Sequence, residues 1–201
     1  PKERSRSLRE YKRKRDFATT PEPQGGKRRG VDRLFVVQKH RASALHYDFR
    51  LEAGGVLASW AVPKGPSLDP KVKRLAMQVE DHPLDYARFE GVIPEGEYGG
   101  GTVMVWDIGT FRLEDDETFD EALPRGRIVF TLNGKKLKGG WVLVPTRGRQ
   151  WLVMKRKDRY ASSTVDITTA KPRSVLTRRL LAGIARDEGG NVAKAATGDP
   201  A

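Results

Sequence analysis

The chain of 201 residues carries 38 Lys and Arg against 26 Asp and Glu, a net charge of +12, and it has no cysteine. That composition excludes disulfide frameworks and thiolate-held zinc, so any metal must sit on His, Asp or Glu. No apolar run approaches the roughly 20 residues of a membrane span and no apolar core follows the basic N-terminus, so the sequence reads as soluble and unexported, in a reducing, cytoplasmic setting.

In chain order, residues 7–14 predict a short basic helix capped by Ser7. Thr20-Pro21-Glu22-Pro23-Gln24-Gly25-Gly26 cannot continue it, so this arm must cross onto the body in extended form. Strand signals follow at residues 33–39, 44–52, 56–61, 74–81, 101–107, 109–114, 127–132, 140–145 and 150–155. Their close spacing, with Gly54-Gly55 and Asn133-Gly134 as tight-turn candidates, predicts a mainly β fold, antiparallel and closed as a barrel or sandwich. Residues 117–123 are the internal helix candidate. After Arg178 a helical turn gives way to small and polar residues, as in a linker or tail. The expected organisation is a basic arm at 1–33, a β body at 34–158, and a basic C-terminal segment with linker or tail at 159–201.

Charge follows that division. Residues 1–33 hold 12 Lys and Arg against 5 Asp and Glu, and residues 155–179 hold 8 against 2, whereas residues 34–154 hold 16 of each. A neutral body with cationic flanks suits a polyanionic partner, because each neutralised phosphate releases counterions. Solvated tails are the competing reading of the same charge.

Candidate chemistry begins at His46-Tyr47-Asp48-Phe49-Arg50-Leu51. Alternate residues of a strand share a face, so His46, Asp48 and Arg50 point one way and the apolar residues the other. His40 lies beyond a short Arg41-Ala42-Ser43 turn that can bring its ring beside His46. The strand at 74–82 repeats the pattern, placing Arg74, Gln78, Glu80 and His82 on one expected face. Such faces should line a solvated groove, since burying unpaired charges costs several kcal/mol each. Two imidazoles and a carboxylate suit Mn²⁺, Zn²⁺ or Fe²⁺ with open positions. Arg50 and Arg74 can fork phosphate oxygens, Lys64 can add a mobile charge, and His82 can protonate a leaving alkoxide or donate to the transition state. Glu95-Gly96-Glu97-Tyr98-Gly99-Gly100-Gly101 precedes a strand, so it reads as a turn and not as a nucleotide loop. Trp60, Trp106, Trp141 and Trp151 read as core.

Several blocks together resemble the 3′-phosphoesterase domain of bacterial DNA ligase D and its stand-alone relatives. They are Tyr11-Lys12-Arg13-Lys14-Arg15-Asp16-Phe17 with Thr20-Pro21-Glu22-Pro23, Phe35-Val36-Val37-Gln38-Lys39-His40, Leu45-His46-Tyr47-Asp48-Phe49-Arg50, Trp60-Ala61-Val62-Pro63-Lys64-Gly65, Glu80-Asp81-His82-Pro83-Leu84-Asp85-Tyr86 and Phe89-Glu90-Gly91-Val92-Ile93-Pro94. The resemblance implies a compact antiparallel β-barrel with a few short helices and an open polar groove. It implies that His40, His46 and Asp48 bind a divalent ion, manganese first and zinc or another cation next, and that Arg50, Arg74 and His82 contact phosphate. Lys64, Glu80, Tyr86, Arg15, Asp16 and Glu22 match further active-site positions, which makes the arm part of the site. The implied activity is stepwise in end-joining repair: removal of a terminal ribonucleoside leaves a 3′-phosphate, whose removal leaves a 3′-hydroxyl. Implied partners are 3′ ends of DNA, with or without ribonucleotides, ligase and polymerase domains in the same chain, and Ku, in a nucleoid-associated setting without membrane. Pro1 and the tail after Arg178 fit either cut points in a multidomain ligase or the ends of a small protein.

Two rival readings are set aside for test. The basic flanks allow a nucleic-acid-binding module without catalysis. His46, Asp48 and His82 also allow the facial triad of a non-haem iron oxygenase, in which His40 would be dispensable.

Overall fold

Residues 3–25 and 33–201 are described by a computed structural model, so Pro1, Lys2 and residues 26–32 of the expected arm lie outside the described residues. Among the described residues nine strands form: β1 (Arg33–Arg41), β2 (Leu45–Ala53), β3 (Val56–Val62), β4 (Arg74–His82), β5 (Gly91–Ile93), β6 (Gly101–Leu113), β7 (Ile128–Gly134), β8 (Lys138–Pro145) and β9 (Gln150–Lys155). They pair antiparallel in the order β1-β2-β3-β4-β9-β8-β7-β6, and β6 returns to β1 to close an eight-stranded barrel. The short β5 adds to the first residues of β6. The expected antiparallel barrel with short helices is therefore what forms.

Alternation sorts the residues between two cores. Phe35, Val37, Tyr47, Phe49, Trp60, Trp106, Phe130, Trp141 and Trp151 fill the barrel interior. All four tryptophans are 5% exposed or less, which agrees with their expected core role. On the outer wall a smaller apolar cluster gathers Val36 and Leu57 with Tyr11 of the arm and with Leu84, Tyr86 and Ala87 of the 3-10 helix Leu84–Arg88. The arm and this helix roof part of the outer wall, and the polar face of β2 opens beside them.

Two irregularities change which face a residue takes. β6 was expected as two strands, but it runs unbroken, with a register shift against β1 between Val37 and Gln38. Trp106 and Phe111 both face the interior across that shift, which is why the apolar period breaks in the sequence. β4 shifts register against β3 opposite Leu57–Ser59, so that Ser59 pairs Val79 whereas Leu57 pairs His82. The shared face expected for Arg74, Gln78, Glu80 and His82 is therefore corrected. Arg74 pairs Val153 and Ala76 pairs Trp151 on the interior parity, while Glu80 and His82 come out on the wall beyond the bulge.

Turns and helices follow their local chemistry. Gly54 and Gly55, at φ 54° and 83°, make the two-residue β2–β3 turn. The β7–β8 turn falls two residues later than expected, at Lys135-Lys136, because the buried Asp107 carboxylate accepts from the backbone N–H groups of Lys135, Lys136 and Leu137. α1 (Arg9–Arg13) starts behind Ser7, whose Oγ accepts from Arg9 N at 3.2 Å. α2 (Phe119–Ala122) opens with a capping box between Thr118 and Glu121. The expected linker or tail after Arg178 is instead packed. It follows α3 (Ile167–Ala170) and forms α4 (Leu181–Asp187) and α5 (Val192–Ala196), which bury Leu181, Ile184, Ala185 and Ala195 against the barrel. The Asp199 carboxylate closes the segment by accepting from Leu181 N and Ala182 N, both at 2.9 Å. No helix among the described residues is long and apolar enough to cross a membrane.

Candidate active site

The β1–β2 hairpin sets His40 directly opposite His46, and the strand alternation brings Asp48 onto the same outer face two residues on. The imidazole centroids lie 4.8 Å apart, and one ligand atom from each of His40, His46 and Asp48 lies within 4.8 Å of the others. Each ring spends its outer nitrogen on a backbone carbonyl: His40 Nε2 donates to Gly99 O at 2.7 Å and His46 Nδ1 to Ala44 O at 3.2 Å. That fixes both tautomers and aims the remaining lone pairs, on His40 Nδ1 and His46 Nε2, toward Asp48. These atoms stand 3.7 and 3.4 Å from Asp48 Oδ2. Such separations are loose for hydrogen bonds but suit three ligands each about 2.1 Å from one divalent ion. Burial pushes the Asp48 carboxyl up, but the Arg50 guanidinium and His46 outweigh it and hold the carboxyl well below the usual range. Burial lowers His46, but Asp48 and the Ala44 carbonyl together leave it raised. The donor set therefore fits a divalent cation. The oxygenase triad is not formed, because His82 is turned to Arg15 and His40 takes the place beside His46 and Asp48.

Arg50 is 2% exposed and braced on two sides. Its Nε donates to Gln38 Oε1 at 2.7 Å and its Nη2 to Asp48 Oδ2 at 3.1 Å. Gln38 in turn donates to the carbonyls of Tyr86 and Phe89 at 2.8 and 3.0 Å, so its amide cannot swing away. Arg50 Nη1 remains buried with no hydrogen-bond partner. A buried guanidinium N–H without an acceptor forfeits roughly 1–3 kcal/mol, a deficit that an anion in the cleft removes.

The arm reaches the same cleft through Arg15. Arg15 donates through Nε to Glu22 at 2.8 Å, through Nη1 to Glu80 at 3.3 Å, and through Nη2 to His82 Nε2 at 3.3 Å, with its Cζ 3.9 Å from the Tyr11 ring centroid. Tyr86 OH donates to the same Glu22 at 2.8 Å, and Lys14 Nζ reaches Glu80 at 3.1 Å. His82 Nδ1 donates to Glu80 O at 2.9 Å, which leaves Nε2 as the acceptor from Arg15. Burial first, then Arg50 and Arg15, keep His82 neutral, well below its usual value near 6.5. As arranged, His82 has no proton to give from Nε2. Its expected role as an acid therefore needs an anion nearby to raise its pKa.

That shift has a consequence for stability. Below pH 6.5 the unfolded chain takes up a proton at this imidazole that the folded cleft refuses. His82 thus contributes stability above that pH, which is lost as the pH falls toward the depressed folded value. Thermal melts of metal-free protein should drop between about pH 7 and pH 5, and His82→Gln should flatten that limb. Parallel curves for parent and variant would refute the assignment.

The cleft enclosed by these groups has a volume of about 330 Å³ and is lined by Arg15, His40, His46, Asp48, Arg50, Glu80, His82 and Tyr86, with Ala61, Val79, Ile93, Tyr98 and Gly99 among its other walls. Glu22 stands behind it, joined through Arg15 and Tyr86. Besides Glu22, three expected site residues are not brought to the lining. Arg74 instead borders a separate pocket with Ser67, Asp69 and residues 162–167. Lys64 lies in an exposed turn after β3. Asp16 is exposed and accepts from Ala18 N at 3.0 Å, shaping the turn of the arm. The sequence reading missed Gln38, although it shares the face of His40 two residues away and was legible by the same alternation. It also missed Tyr11, Lys14 and Gly99, whose contacts with His82, Glu80 and His40 are long-range and carry no local signal.

A family model described as the DNA Ligase D 3'-phosphoesterase domain matches residues 38–145. The chain is similar to the multifunctional non-homologous end joining protein LigD of Pseudomonas aeruginosa, with 56% identity over 187 residues that cover 88% of this chain and 22% of that protein. It is similar also to the multifunctional non-homologous end joining DNA repair protein LigD of Mycobacterium tuberculosis, with 42% identity covering 82% of this chain and 22% of the relative. The corresponding protein of Mycolicibacterium smegmatis is 42% identical, with 74% and 20% covered. The chain thus spans about a fifth of the length of the curated relatives it matches.

Proposed function

This chain belongs to the DNA ligase D 3′-phosphoesterase domain family, and from that premise we propose that it is a metal-dependent phosphoesterase that heals 3′ ends of DNA in non-homologous end joining. Its stepwise activity removes a terminal 3′ ribonucleoside to leave a 3′-phosphate, then removes that phosphate to leave a 3′-hydroxyl. By likeness to the multifunctional relatives, the reading extends to ligase and polymerase activities as working partners, with Ku at the break and a place on the nucleoid. The observation that carries it is the buried, unpartnered Nη1 of Arg50 beside the His40, His46 and Asp48 cluster. A guanidinium awaiting an anion and a site for a divalent cation together describe a phosphate subsite.

His40, His46 and Asp48 would hold the divalent ion, manganese first, and when bound it supplies Lewis-acid stabilisation of charge on the phosphoryl group. Arg50 directs its open N–H at a non-bridging oxygen, and Gln38 with Asp48 keeps that fork from following the substrate out. His82 faces the phosphate from β4. Phosphate charge offsets the two guanidiniums that hold this imidazole neutral, so its pKa rises as substrate enters, and its ring takes up a solvent proton at Nε2 that it then gives to the departing oxygen. Arg15, tied to Glu22 and Glu80, sets the orientation of His82, and Tyr86 closes the wall behind Arg50. Asp16 acts at a distance by turning the arm. Lys64 and Arg74 stand outside the cleft in this arrangement, which leaves the reacting phosphate to Arg50 and His82.

The test is direct. A DNA strand ending in a 3′-phosphate, incubated with the full chain and Mn²⁺, should release inorganic phosphate and yield a 3′-hydroxyl, and chelation should abolish it. A strand ending in one 3′ ribonucleoside should pass through the 3′-phosphate first. Salt-sensitive binding without any metal-dependent product would favour the binding-module reading instead.

A further inference from the structure

Tyr98 is the most solvent-exposed aromatic residue among those described, at 49%, and it lines the same cleft as His40, His46 and Asp48. Leaving so much ring surface wet forgoes the burial that aromatic side chains elsewhere in this barrel obtain. The ring is nevertheless held in place. Gly96 and Gly99, at φ 92° and 76°, fold its loop into successive turns. Gly99 O accepts from His40 Nε2 at 2.7 Å, which ties the residue after Tyr98 to the candidate metal ligand. On the other side Lys194 of α5 donates to Glu95 Oε1 at 2.8 Å and to Gly100 O at 3.4 Å. Lys14 Nζ stands 3.3 Å from the Tyr98 hydroxyl and 4.7 Å from its ring centroid, and Arg15 Cζ stands 5.6 Å from the same centroid.

We propose that Tyr98 is a stacking platform for the base of the nucleoside at the 3′ end, a subsite that rests on the phosphoesterase reading and specifies how the end is held. A fixed, half-exposed ring beside cations offers what a nucleobase next to a phosphate requires: a flat apolar face for the base and positive charge for its backbone. Stacking reads no base edges, so the subsite accepts every base and discriminates only against an end that lacks one. The ordering of the loop by His40 and Lys194 means that the platform is assembled before substrate arrives.

The experiment compares strands whose 3′-phosphate is carried by a normal or an abasic terminal residue, using the parent, Tyr98→Ala and Tyr98→Trp with Mn²⁺. Removing the base should lower kcat/KM of the parent roughly tenfold, the size of one base–aromatic stack. Tyr98→Ala should lose about as much on the normal strand and little more on the abasic one, whereas Tyr98→Trp should restore discrimination. Losses that multiply, as a general loosening of the loop would produce, would overturn the proposal. A terminal 2-aminopurine adds a readout independent of turnover: its emission should be quenched on binding the parent and Tyr98→Trp but much less on binding Tyr98→Ala. An unquenched base in the parent refutes the platform. A quenched base with no phosphate release would leave the platform standing and refute the phosphoesterase reading.

Discussion

Replacing His46 by alanine should lower turnover of a 3′-phosphate strand by at least about a thousandfold, near 4 kcal/mol of transition-state stabilisation, with the fold retained. The residue is suited to such a separation. Its side chain is 22% exposed, and its ring meets His40 and Asp48 on the outer face of the barrel wall. Loss of the imidazole should therefore shift melting by no more than a few degrees. Asp48 differs, because its carboxylate also neutralises the buried Arg50 at 3.1 Å. Asp48→Ala should abolish turnover and also destabilise, since a buried cation left alone costs about 3–5 kcal/mol. Asp48→Asn keeps the shape and isolates the loss of charge. Titration calorimetry with Mn²⁺ should show binding by the parent and none by either variant. Parental rates in His46→Ala would overturn the metal assignment, whatever the binding data show.

The legibility of this site in the sequence depended on where the strand period stayed intact. Along β2 the alternation of His46, Asp48 and Arg50 with Tyr47, Phe49 and Leu51 is unbroken, and the face it implied is the one observed. The hairpin that returns His40 to His46 was likewise readable, since a short turn between two strands leaves few registers. Arg74 was misplaced by the same rule, because a bulge changes parity and nothing local in Arg74-Leu75-Ala76-Met77-Gln78-Val79 announces it. The C-terminal segment failed for another reason. Leu181, Ile184 and Ala185 have helical spacing, but the stripe is narrow, and the small polar residues after it read as a tail. What anchors it is the fit of small side chains and the Asp199 cap, both of which emerge only in three dimensions. Residues of the arm were legible only through the family likeness, since an Arg and a Glu seven positions apart predict no contact with β4.

Arg15→Ala should impair both stability and catalysis, and the two losses can be separated. The Glu22 and Glu80 side chains are only 1% and 3% exposed, and Arg15 bonds both. Lys14 still reaches Glu80, but among the described residues Glu22 retains only the Thr20 and Tyr86 hydroxyls and the turn around them. Breaking this buried network should cost about 3–5 kcal/mol, a fall in melting temperature on the order of 10 °C for a chain of this size. Catalysis should fall further than unfolding accounts for. Without Arg15, His82 loses the donor on Nε2 and one of the charges that keep it neutral, so its pKa rises and its ring is free to turn. Assayed well below the variant's melting temperature, kcat at saturating strand should drop at least about a hundredfold, and the acid limb of its pH profile should move upward. Arg15→Lys keeps a cation but not the fork that spans Glu22, Glu80 and His82, so it should recover part of the stability and little of the rate. Deleting residues 1–22 should reproduce the catalytic loss. If either change leaves kcat intact once the protein is folded, the arm is a brace for the barrel wall, and the reacting groups are those on β1, β2 and β4 alone.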